Sequence, residues 1–169
     1  MECIPFRVNK SYIPSCIFLA RMTGSKSPQH DLEGFRPIAV LLATAAALSG
    51  SPSMIDRMAN ALNPEPAVRT IRDSLRLVDS ELARSESERR LRVGTKTTTT
   101  GREYRVVEVQ DEIGVFQIVG HLPSSEMVRE FIDKVQSDTS LARKIGAYAS
   151  AILVESRLRA PSAQQGEVK

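Results

Sequence analysis

An uncharged run from Pro37 to Ile55 constrains this chain most. Its centre, Ile38 to Leu48, holds only Ile, Leu, Val, Ala and one Thr. A bilayer core needs about 20 consecutive apolar residues of helix; these eleven are too few, so no membrane span is expected. Two roles fit the run. It is long enough for a core helix that is apolar on all sides. It also has the length of an export-signal h-region, with Arg36 before it and Ala45, Ala46, Ala47 and Gly50 after it as small residues near a cleavage point. Asp31 and Glu33 just upstream speak against export, as does the long leader counted from Met1; counted from Met22 its length is ordinary. The core helix is the favoured reading, and with it a cytoplasmic location, with export as the alternative.

The chain has 169 residues, enough for one domain with some chain to spare. Residues 1–35 show no sustained period and read as a flexible arm or an over-extended reading frame, with Met22 and Met54 as other possible starts. The apolar segment occupies 36–51, a single α+β domain spans 52–158, and 159–169 form a polar, disordered tail. Aromatic content is only 5%, so the core must be aliphatic.

Beyond the apolar run, Ile55, Met58 and Leu62 mark a short helix. Asn63-Pro64-Glu65-Pro66 is a helix entry, with Asn63 as cap and Glu65 complementing the positive helix end. The helix is expected from Pro64 to about Arg92. Val68, Ile71, Leu75, Val78 and Leu82 follow alternating spacings of three and four, a heptad seam that ends at Ser85. At its far end Glu86 would reach Arg90, and Glu88 would reach Arg92, four residues on, giving a solvated helix end. Thr95–Thr100, Tyr104–Gln110 and Val115–Leu122 then read as an antiparallel meander. Gly101-Arg102 is expected as a two-residue turn and Asp111–Gly114 as a type I turn closed by a left-handed Gly. The Thr-rich first strand suits a solvated edge, and the third, apolar on both sides, should be covered on both. Ser124 or Ser125 caps a helix whose apolar face is Met127, Val128, Phe131, Ile132 and Val135. After a break at 136–140 a last helix runs to about Leu158. The predicted fold is α+β, in the order α-α-β-β-β-α-α, with helices flanking a three-stranded antiparallel meander.

Charge and site chemistry exclude more than they assign. The 23 basic and 20 acidic residues are spread so evenly that no segment departs from neutrality by more than two charges. No basic block in sequence therefore argues for nucleic acid. Cys3, Cys16, His30 and His121 have no metal-ligand spacing, and no phosphate-binding loop motif occurs, so no metal and no cofactor is expected. His121 beside Ser124 and Ser125 lacks an orienting group in sequence, with Asp111 or Glu112 across the meander. Glu126, Glu130 and Asp133 alternate with Arg129 and Lys134, a solvated face rather than an acid–base pair. No catalytic residue is assigned.

Two faces are candidates for protein contact: the seam at Val68, Ile71, Leu75, Val78 and Leu82, and a small-residue face at Ala142, Gly146 and Ser150, which would let another helix approach closely. Leu141–Gly146 followed by Ile152 also has the spacing of a helix-turn-helix unit. That reading offers Arg143, Lys144, Tyr148, Ser150 and Arg157 to nucleic acid, although Glu155 occupies a position that should point inward. The leading function is a non-enzymatic protein-binding or self-assembly module, with itself as a possible partner in a homo-oligomer. The first alternative is a nucleic-acid-binding regulatory protein using 141–157 or the basic end of the long helix. The second is an exported effector or inhibitor.

Overall fold

A computed structural model describes residues 29–160. The elements are α1 (Gln29–Gly34), α2 (Arg36–Ser49), α3 (Ser53–Ala59), α4 (Pro64–Ala83), β1 (Leu91–Thr97), β2 (Glu103–Gln110), β3 (Val115–Val119), α5 (Ser125–Ser137) and α6 (Thr139–Arg159). The architecture is α+β, with the three strands forming one antiparallel sheet in the order β1-β2-β3. The arm before residue 29, both cysteines and most of the tail lie outside the described residues.

The apolar run is α2, and every residue from Ile38 to Leu48 is buried. A helix apolar on all sides is stable only when neighbours cover all sides, and here α3, α4, α6 and the inner face of the sheet do so. Its lone polar side chain inside, Thr44, donates to the Val40 carbonyl at 2.7 Å. Gly50, at φ 67°, closes the helix in the left-handed conformation. The export reading finds no support in this fold, in which cleavage near Ala45–Ala47 would sever the helix on which the others pack. The exported-effector alternative rests on that segment alone.

The long helix stops at Ala83, nine residues before the expected end. Ser85-Glu86-Ser87-Glu88 holds two serines of modest helix propensity, and the next apolar residue, Leu91, is fully buried opposite Val109 in the sheet. Burying a leucine contributes about 1.5–3 kcal/mol, against about 0.2–0.5 kcal/mol for each i,i+4 charge pair the longer helix would have made. β1 accordingly begins four residues before the expected strand. Asn63 precedes α4 in extended backbone but makes no side-chain cap bond.

The β1–β2 connection is Thr98–Arg102, wider than the expected two-residue turn, and closes through Thr98 N–H to the Arg102 carbonyl at 2.8 Å. At the β2–β3 turn the Asp111 carboxylate accepts from the N–H groups of Ile113 and Gly114, at 2.9 and 3.1 Å. Gly114 sits at φ 151°, outside the left-handed helical region expected for it. β3 is covered on one face only: Phe116 and Ile118 are buried, whereas Val115 and Val119 are 50% and 38% exposed.

The two C-terminal helices start as the residues dictate. The Ser124 hydroxyl accepts from Met127 N–H at 3.2 Å, and the Asp138 carboxylate accepts from Ser140 N–H at 2.9 Å. Val128, Phe131 and Val135 carry α5 into the core. There Phe131 meets Phe35 edge to face, with centroids 5.0 Å apart.

Candidate functional site

The five seam residues lie on the inward side of α4. Ile71 and Val78 are buried, while Val68, Leu75 and Leu82 are half-buried. The helix packs on α2, α3, α5 and β1, so the heptad spacing is satisfied inside the chain. The small-residue face divides. Ala142 and Gly146 are buried, and a Cβ at Gly146 would stand 2.7 Å from the Ala59 nitrogen, so α3 already occupies this close approach. Ser150, four residues further on, is exposed at the edge of this face.

α6 is one continuous helix from Thr139 to Arg159, which corrects the helix-turn-helix reading of 141–157. Gly146 is inside the helix, with α-helix on both sides, and serves packing instead of a turn. The five residues offered to nucleic acid are not gathered as that motif requires. Arg143 and Lys144 are exposed near the start of α6, and Tyr148 is half-buried against the core. Arg157 is fixed: it lies 2.8 Å from the Asp111 carboxylate and 4.8 Å from the Phe116 ring centroid.

The outward side of α6 shows what sequence reasoning missed. Ala147, Ala151, Val154 and Leu158 are all exposed, Val154 by 55% and Leu158 by 81%. Their spacings of four, three and four make a heptad-like stripe, with Ser150 beside it. The stripe was legible as a periodicity, but α6 carries apolar or small residues on both sides. Only packing decides which side is inward.

A second cluster is the basic stretch that the sequence placed at the end of the long helix, and the structure puts it in a different setting. Arg89, Arg90 and Arg92 line one small cleft together with Glu108, Gln110 and Val115. The expected helical pairs Glu86–Arg90 and Glu88–Arg92 do not form, because the helix ends before them. Arg90 donates to the carbonyls of Leu48, at 2.9 Å, and Gln110, at 3.3 Å.

The possible reaction chemistry stays dispersed. His121 is exposed, Ser124 is engaged as a helix cap, and Asp111 is engaged by Arg157 and its own turn. Burial pushes the Asp111 carboxyl up, but the Ile113 and Gly114 N–H groups and the Arg157 guanidinium outweigh it and hold it below the ordinary carboxylate range. Among the described residues no group of three His, Cys, Asp or Glu side chains is placed to hold a metal ion. No described helix is long and apolar enough to cross a membrane.

Comparison with curated proteins and with solved structures finds no match. Comparison with protein families does find one. Residues 41–152 match the family described as CRISPR-associated protein (Cas_Csa5), a stretch running from inside α2 through the sheet to Ile152 of α6. The match takes in about two-thirds of the chain and every element of the apolar core except α1, and on that basis this chain belongs to the CRISPR-associated protein family Cas_Csa5.

Proposed function

We propose that this chain is a non-enzymatic subunit of a multiprotein CRISPR-associated complex, docking on neighbouring protein subunits, a second copy among them, through the outward side of α6. The observation that carries this reading is the exposed stripe Ala147-Ala151-Val154-Leu158. Isolated exposed aliphatic residues are ordinary on a protein surface, but a row of them at heptad spacing on a 21-residue helix matches a helix-packing seam. The seam on α4 is occupied internally, which leaves α6, among the described helices, with an apolar side to offer. Family membership supports the setting, and the dispersed titratable groups support a binding role over a catalytic one.

The test is co-purification and light-scattering mass of the full chain, alone and co-expressed with the other subunits of its complex. Val154→Asp with Leu158→Asp should leave the helical circular dichroism unchanged and release the chain from its partners. Undiminished assembly by that folded variant would show the surface is misassigned.

A further inference from the structure

Where α1 meets the end of α5 and the start of α6, the surface opens into a cavity of about 250 Å3. Its interior is apolar: Phe35 and Leu141 are buried there and Leu32 is half-buried. Its mouth is polar, with Lys134, Ser137, Asp138 and Lys144 all exposed. The Lys134 ammonium lies 4.9 Å from the Phe35 ring centroid and 3.3 Å from the Glu130 carboxylate. Lys144 has no carboxylate within 4.0 Å among the described residues. The one carboxylate lining the cavity, Asp138, is committed to its cap: it accepts from the Ser140 N–H and hydroxyl at 2.9 and 2.6 Å. Two ammonium groups and one carboxylate thus surround an apolar interior, and a negative group arriving at the mouth is favoured over a positive one.

We propose that this cavity takes one large apolar side chain from an acidic segment of another protein, whose carboxylates meet Lys134 and Lys144. Volume argues for a single side chain. Pockets for drug-sized ligands enclose about 300–1,000 Å3, more than is present here, whereas one aromatic or aliphatic anchor seated in a pocket is what holds a protein contact together. Charge argues for the acidic flanks. The chain's own residues 1–28 have the wrong sign for them, with Arg7, Lys10, Arg21 and Lys26 against Glu2. Leu32 and Phe35 also precede the family-matched stretch, 41–152, so this wall of the cavity is not part of the matched pattern. The inference goes beyond the assembly reading and does not depend on it: none of Ala147, Ala151, Val154 and Leu158 lines the cavity, and binding is measured on the chain alone.

The test is a nuclear magnetic resonance titration of the full, isotope-labelled chain with a capped peptide that holds one phenylalanine between two pairs of glutamates. Expected are saturable amide shifts centred on Leu32, Phe35, Leu141 and Lys144. A peptide with alanine in place of the phenylalanine should bind about tenfold or more weakly, because the apolar burial is lost. A peptide with lysines in place of the glutamates should not bind. Lys144→Glu should weaken binding of the first peptide about fivefold or more, an exposed attraction turned into a repulsion. Arg129→Glu, an equal charge change on exposed α5, should leave it unchanged. Three results would overturn the proposal: no shifts at the cavity, equal affinity for the alanine peptide, or equal loss from Arg129→Glu. If Lys144→Glu alters the circular dichroism, Lys144→Gln decides: undiminished affinity in that variant would also overturn it.

Discussion

The Arg157 guanidinium lies 2.8 Å from the Asp111 carboxylate, joining the last turns of α6 to the β2–β3 hairpin. The same guanidinium covers the Phe116 ring, so one side chain closes the open end of the sheet onto the helical layer. Asp111 in turn ties its own hairpin through the Ile113 and Gly114 N–H groups. Asp111→Ala removes an acceptor from three donors and should cost about 1–3 kcal/mol, measured by urea unfolding near neutral pH. The folded-state pKa of Asp111 is depressed. Its contribution is therefore full above the unfolded value of about 3.9 and is lost as pH falls through the lower folded value. The stability gap between wild type and Asp111→Asn should shrink over that acidic window; a gap independent of pH would refute the role.

Gly146→Ala tests the α3–α6 contact. Ala is the better helix former by about 1 kcal/mol, but the added Cβ would meet Ala59 backbone at 2.7 Å, which cannot give way as a side-chain tip can. Overpacking of this kind costs about 1–3 kcal/mol, so net destabilisation in thermal melts is expected. Gly94→Ala, with nothing within 4 Å of its Cβ, serves as the comparison and should be near neutral.

Leu41→Ala tests whether α2 is the structural centre. Leu41 is fully buried, and emptying such a site costs about 2–5 kcal/mol. Leu62→Ala, at a residue 88% exposed, should change stability by no more than about 0.5 kcal/mol in the same chemical denaturation.

Arg90 and Arg92 should separate in stability although they share a cleft. Arg90 satisfies the Leu48 carbonyl at the C-terminal end of α2, where a cation also meets the negative end of the helix dipole. Arg90→Ala should lower stability by about 1 kcal/mol, whereas Arg92→Ala should leave the unfolding midpoint in place. Equal losses would mean that Arg92 has a structural role as well.

Much of this protein was legible in its residues. Eleven consecutive apolar or small residues require cover on every side of a helix. Ser124 and Asp138 fix where α5 and α6 begin by capping free N–H groups. Alternating valines with Gly and Asp between them make the meander. What sequence reasoning could not weigh is competition between local and distant partners. The pairs Glu86–Arg90 and Glu88–Arg92 are sound locally, yet each is worth only tenths of a kcal/mol. Burial of Leu91 against Val109 outweighs them, ends α4 at Ala83, and turns a predicted solvated helix end into a cleft of three arginines. The heptad seam of α4 and the Gly146 face have the same cause: periodicity marks a side that must be covered, and only the tertiary structure decides whether the cover comes from this chain or from another.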